Sequence, residues 1–212
     1  MRFKYKFKHY YFNKYFLSLF AQDRYYISYD YKHKAIWYRN AKVATRTIHN
    51  VLKEQGQSGS YVYGSEASID IDKFSDYFKF AFVRNPESRF LSGWKDKVVQ
   101  NNYFKFSPEQ HLRMQTMTEF LTYLSDQDPI NIDKHFKGQH LLIEKEKLDF
   151  LGRFENFEND FTFVLEKIGL SRIKIPHKNK TASKTYKTNN EEKRLIQEIY
   201  KEDYMFFYPN ES

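Results

Sequence analysis

The run Tyr77-Phe78-Lys79-Phe80-Ala81-Phe82-Val83 constrains the fold more than any other feature of this 212-residue chain. All but one of its residues are apolar or aromatic, so neither face of a strand built from it could be left to water. Runs of that kind belong to strands covered on both faces, as in parallel sheets. Asn85 and Pro86 follow, an N-cap and a first-turn residue, and Phe90 and Trp94 come at a spacing of four, which predicts a helix opening at Pro86. Upstream, Lys34 to Arg39 (KAIWYR) reads as a short strand. A polar turn and a helical pattern come next, with Ile48, Val51 and Leu52 on one face and Gly56 as the stop. Two strand–turn–helix units in succession predict an α/β core, a central parallel sheet flanked by helices.

The remainder reads as mainly helical. Ser107, Pro108 and Gln110 form a capped start, Thr118 to Leu124 a short helix, and Phe157, Phe161, Val164, Leu165 and Ile168 the apolar stripe of a helix ending at Gly169. A last helix is expected from about Glu191 to Tyr204, after a basic polar loop from His177 to Asn190. With 41% hydrophobic and 19% aromatic residues, the chain can bury one good core but would spread thin over two. The expected organisation is a single domain over 33–212, with the basic aromatic segment 1–32 packed on it. Contact of that segment with a membrane surface is the alternative, because its longest stretch without charge, Tyr15 to Gln22, falls far short of the ~20 apolar residues of a spanning helix. No hydrophobic signal core is visible there, and a cytoplasmic location is expected. The absence of cysteine excludes disulfides, thiolate metal sites and cysteine nucleophiles. A formal charge of +8, from 35 Lys and Arg against 27 Asp and Glu, favours anionic partners without choosing among them.

Two turns carry chemistry. Asn40-Ala41-Lys42-Val43-Ala44-Thr45-Arg46-Thr47 lies between a strand and a helix N-terminus, where main-chain N–H groups and the helix dipole favour an anion. Lys42 adds a mobile charge, Thr45 and Thr47 hydroxyls, and Arg46 a planar fork. A kinase phosphate loop would need glycines that this turn lacks; an ordinary basic turn capped by threonine is the plain alternative. In the second turn, Arg84 stands at the end of the buried strand and Ser92 two helical turns further on, so both could meet one phosphate. Ligands of α/β proteins sit at the carboxyl ends of parallel strands, so two basic turns there imply one ligand with two separated anionic ends. A nucleotide phosphorylated at both 5′ and 3′ positions satisfies that.

At these residues the chain resembles the Golgi carbohydrate sulfotransferases, including the chondroitin, dermatan and HNK-1 enzymes, and more distantly heparan 2-O-sulfotransferase. AKVATRT is similar to that family's 5′-phosphosulfate loop, with Ala41 in place of its leading proline, and FVRNPESRFLSGWKDK resembles its 3′-phosphate motif. His135-Phe136-Lys137-Gly138-Gln139 resembles the HWxxQ segment, and Asp149 to Glu155 (DFLGRFE) the DYVGKFE segment. Pro176 to Asn179 and Tyr200 to Tyr204 also fall where the family has counterparts, so the likeness covers about residues 33 to 208. The family is usually anchored by an N-terminal membrane helix, for which these residues offer no counterpart.

The resemblance implies a P-loop-like sulfotransferase fold and an enzyme that moves a sulfuryl group from 3′-phosphoadenosine 5′-phosphosulfate (PAPS) to a hydroxyl of an acceptor, a carbohydrate by analogy, leaving 3′-phosphoadenosine 5′-phosphate (PAP). It assigns Lys42, Val43, Ala44, Thr45, Arg46 and Thr47 to the 5′-phosphosulfate and Arg84 and Ser92 to the 3′-phosphate. Gly152, Arg153 and Phe154 would lie near the adenosine, and Lys180 to Tyr186, Lys184 among them, would close over the nucleotide. Lys42 would stabilise the leaving group, because charge grows on the bridging and equatorial oxygens. A general base must take the acceptor proton. Relatives often place it just before the second motif, where Tyr63-Gly64-Ser65-Glu66 offers Glu66; His135 is the second candidate, and the other histidines, His49 included, read as structural or surface residues. The scheme needs no metal. A noncatalytic nucleotide- or nucleic-acid-binding module is the rival reading, since basic charge with many tyrosines suits single strands. No RNA-binding motif is recognised, however, and nucleic acid is not an expected partner. A nucleotide kinase is the third reading, against which stand the missing glycine loop and the lack of a metal-binding carboxylate motif. Oligomeric state is left open.

Overall fold

The computed structural model describes Phe16, Ile175 and residues 24–56, 59–173 and 186–211. In chain order the main elements are β1 (Tyr25–Asp30), β2 (Ala35–Tyr38), α1 (Thr45–Gln55), β3 (Tyr61–Ala67), β4 (Phe78–Val83), α2 (Pro86–Trp94), α3 (Pro108–Met114), α4 (Met117–Ser125), β5 (Phe150–Arg153), α5 (Phe157–Lys167), α6 (Asn190–Ile199) and α7 (Lys201–Phe207). They fall into two compact units. The first comprises Met1–Val83 with Leu142–Lys178, the second Arg84–Leu141 with Asn179–Ser212.

The first unit holds the sheet, in the order β3-β1-β2-β4-β5. The expected all-parallel sheet is corrected to a mixed one: β2, β4 and β5 run parallel, but β1 pairs antiparallel with both β2 and β3. The reason is local. Only four residues separate β1 from β2, enough for a hairpin and far too few for the crossover that a parallel pair needs. β1 precedes the expected domain start at residue 33, yet it is an interior strand of this sheet. On one face, Trp37, Phe80 and Phe82 meet Ile48, Val51 and Leu52 of α1 and Phe161, Val164 and Leu165 of α5 in a single buried cluster. Each such side chain contributes on the order of 1.5–3 kcal/mol on leaving water. Gly152 of β5 pairs with Phe82, and a Cβ there would come within 2.4 Å of the Phe82 ring, so the close approach of ring to backbone requires glycine.

The second unit is helical. Its core joins Phe90 of α2 to Phe120, Phe136 and Tyr200 through ring contacts with centroids 6.0 to 6.4 Å apart, and Phe120 meets Phe136 at 4.9 Å. Asn85 caps α2 by accepting from Ser88 N–H, and Ser107 with Gln110 closes a full capping box on α3, as the sequence predicts. The single helix expected from Glu191 to Tyr204 is instead two. They meet at Tyr200, whose backbone leaves the helical region while its buried hydroxyl donates to the Phe136 carbonyl. Among the described residues no helix is long and apolar enough to cross a membrane.

Candidate active site

In the first unit the carboxyl end of β2 runs into the turn Asn40 to Thr47. Lys42 and Ala44 both have left-handed backbones, with φ of 71° and 61°, and Val43 between them, fully buried, does not. Alternating hand over consecutive residues curls main-chain N–H groups into a concave anion nest. Glycine normally supplies such conformations; here alanine and lysine adopt them at a cost of roughly 1–2 kcal/mol each. The lack of glycine therefore does not keep this loop from left-handed conformations. Ala44 is also the N-cap residue of α1, which has neither a side-chain cap nor an acidic residue in its first turn. The positive end of the helix dipole thus faces the nest unneutralised from within its own first turn.

The loop is braced internally. Asn40, buried, donates from Nδ2 to the Phe82 carbonyl at the end of β4, and Thr45 Oγ1 donates to the Asn40 carbonyl at 2.6 Å. The Thr45 hydroxyl proton is thus engaged within the loop, leaving its main-chain N–H as what it can offer an anion. Thr47 is largely buried, Arg46 exposed and Lys42 intermediate. At the same sheet edge Arg153 ends β5 as an exposed side chain, its N–H held by Asp160 at 2.6 Å, and Phe154 begins the following turn half-buried. Lys184 and most of the loop from Pro176 lie outside the described residues.

Glu66 reaches this edge through a defect in β3. Tyr26 pairs with Glu66 but Ser28 with Tyr63, so Gly64 and Ser65 together oppose Ile27, a bulge with one extra residue on β3. In a regular strand positions 63 and 66 point to opposite faces; the bulge turns both to the face that carries α1. Arg39 fixes it, donating to the Gly64 carbonyl and lying 3.6 Å over the Tyr63 ring. Tyr26 donates its hydroxyl to Glu66 Oε2 at 3.3 Å. His49 of α1 sits against Tyr63 with ring centroids 4.3 Å apart and has Nδ1 3.2 Å from the Tyr61 hydroxyl. Burial first, then the charges of Lys53 and Arg39, holds the His49 pKa below its ordinary value.

Arg84, bonded to the last residue of β4, opens the second unit. Its Nε donates to Ser88 Oγ at 2.9 Å, and Ser88 Oγ donates to the Asn85 carbonyl. Ser92 lies one turn beyond Ser88 on the same face of α2, since positions four apart stack. Ser88, bonded to Arg84 and on the same helix face as Ser92, is a further hydroxyl beside the pair Arg84 and Ser92, at a spacing of four that the sequence already displays. His135, the second base candidate, has Nδ1 2.6 Å from Asp133 Oδ1, while Tyr103 donates to the other carboxylate oxygen.

The sequence model described as "Sulfotransferase family" matches residues 11–209, nearly the whole chain. The chain belongs to the sulfotransferase family. Among curated relatives, zebrafish (Danio rerio) carbohydrate sulfotransferase 14 is 30% identical over 121 residues, 48% of this chain and 33% of that protein. The mouse (Mus musculus) protein of the same name is 29% identical over 171 residues, 70% of this chain and 46% of the relative. Human (Homo sapiens) carbohydrate sulfotransferase 9 is 28% identical over 168 residues, 64% and 38% of the two chains. The chain therefore spans between a third and a half of the length of these relatives. No solved structure matches it. The match begins upstream of β1, so this member of the family carries likeness into the segment that the motif reading left without a counterpart.

Proposed function

We propose that this family member transfers a sulfuryl group from PAPS to a hydroxyl of a carbohydrate acceptor, on a P-loop-like α/β scaffold. The observation that carries the reading is the left-handed turn at Lys42 and Ala44 closing on the uncapped N-terminus of α1, an anion cradle within a sulfotransferase sequence. The names of the relatives support carbohydrate as the acceptor class. The cysteine-free sequence suits a reducing compartment and is the ground for proposing a cytoplasmic setting.

Donor PAPS supplies an activated S–O bond whose leaving group is PAP. In the proposed step the acceptor oxygen forms a bond to sulfur as the bridging S–O bond breaks, and the electron pair of that bond stays on the phosphate. Lys42 and the N–H groups of the 42–47 turn balance the charge that develops there. Glu66 takes the acceptor proton, with Tyr26 orienting its carboxylate; His135, oriented by Asp133, is the second candidate for that role. Arg84, with Ser88 and Ser92 on one helix face, receives the 3′-phosphate, and Arg153, Phe154 and Lys184 are assigned to the adenosine end.

Calorimetry and melting curves with PAP, ATP and an oligonucleotide, all without divalent metal, test the reading. PAP should bind and raise Tm, since a ligand of the native state stabilises it by mass action, and ATP should do less. Equal stabilisation by ATP, a strict magnesium requirement, or preference for the oligonucleotide would overturn it.

A further inference from the structure

Gln139 is completely buried, and both ends of its side-chain amide are spent on one residue. Its Oε1 accepts from Arg84 N–H at 2.9 Å, and its Nε2 donates to the Arg84 carbonyl at 2.8 Å. Such a two-bond exchange is what a neighbouring strand would give an extended residue; here one amide gives it, at the point where the chain has left β4. Only a side chain with one donor and one acceptor at that reach can do so.

The clamp is itself held. Gln139 N–H donates to Asp203 Oδ2 at 2.8 Å, and the N–H and Nδ1 of His140 lie 2.9 and 2.7 Å from Asp203 Oδ1. Asp203 is completely buried. At position 138 a Cβ would come within 2.6 Å of the His140 ring, so glycine there lets the turn close on Asp203. At its far end Arg84 is fixed again by the Nε bond to Ser88. A partly exposed arginine is thus pinned at main chain and side chain by a buried network. Pinning of that kind lowers the ordering cost of binding.

We propose that Gln139, anchored by Asp203, is a positioning residue for nucleotide recognition: it fixes the Arg84 main chain so that the guanidinium is presented to the 3′-phosphate. The proposal rests on the reading of Arg84 given above. The test is titration of Gln139→Leu, Gln139→Asn, Arg84→Ala and the double variant with PAP and with adenosine 5′-phosphosulfate, which lacks the 3′-phosphate, each accompanied by a melting curve. Gln139→Leu should weaken PAP binding about tenfold and adenosine 5′-phosphosulfate less than about twofold, and the loss should vanish in the Arg84→Ala background. Gln139→Asn keeps the amide but is too short to reach both partners. It should show the same selective loss, and it carries the test if Gln139→Leu does not fold. No loss, equal loss for the two nucleotides, or an undiminished loss without Arg84 would overturn the positioning role. If Arg84→Ala itself weakens both nucleotides equally, the 3′-phosphate reading fails first and this inference falls with it.

Discussion

Lys42 occupies a left-handed position, and Lys42→Ala keeps the Cβ that makes such a position costly. The substitution should therefore leave the backbone cost of the turn unchanged while removing one charge. If that charge acts on the leaving group, turnover should fall on the order of 10²-fold, well beyond any loss of PAP affinity, and Lys42→Arg should rescue it only in part. Steady-state rates set beside nucleotide titration decide this; unchanged turnover removes Lys42 from catalysis. Ala44→Gly does the converse, relieving the left-handed cost without touching charge, and should raise stability by about 0.5–1 kcal/mol after the extra chain entropy of glycine is counted. Chemical denaturation of the two proteins measures it. At this scale the sequence was legible where a residue acts on its own neighbours: Asn85 as cap, Pro86 in the first turn, Ser107 with Gln110. It was opaque where the partner comes from elsewhere. Nothing in the spacing of Thr45 says that its hydroxyl is taken by the Asn40 carbonyl, and nothing in HFKGQ says that its glutamine grips Arg84.

Among the elements, β3 carries the consequence of a single extra residue. Removing Ser65 should restore a regular ladder with Glu66 still opposite Tyr26 and on the same face as Tyr63. If Glu66 is the base, Glu66→Gln should cut turnover by about 10²-fold or more while PAP affinity holds, because the nucleotide turn lies on other strands, and the deletion, which keeps the carboxylate on its face, should cost far less. Retained turnover in Glu66→Gln would point to His135. Helix α1 brings a pH dependence. His49 has its pKa lowered in the folded protein, so the unfolded chain takes up the proton more readily; this contribution to stability is complete above the ordinary value of 6.5 and is lost as pH falls through the lower folded value. Tm should drop as pH falls below about 6.5, and His49→Asn should flatten part of that drop. An identical pH profile in the variant would mean that His49 is not the group responsible. The helices and β4 were legible because their apolar positions recur with period or without interruption. β1, β3 and β5 were not. β1 lies in an aromatic segment with large residues on both faces, β3 is broken by its bulge, and β5 has four residues with a glycine among them. Missing β1 is what made the sheet read as wholly parallel.

At the scale of the whole molecule, each unit contributes a separate basic element: the turn before α1 in the first and the start of α2 in the second. Both stand out in the sequence, because each turn keeps its basic and hydroxyl residues contiguous. The central claim is that these elements serve sulfuryl transfer, and transfer is what should be measured. The protein is incubated with PAPS labelled in its sulfuryl group and a panel of glycans, with products separated and counted. The account predicts label on a glycan hydroxyl, one equivalent of PAP released per label transferred, and no requirement for added metal. PAP release with the label recovered only as free sulfate, or no turnover of PAPS with any acceptor, would contradict it.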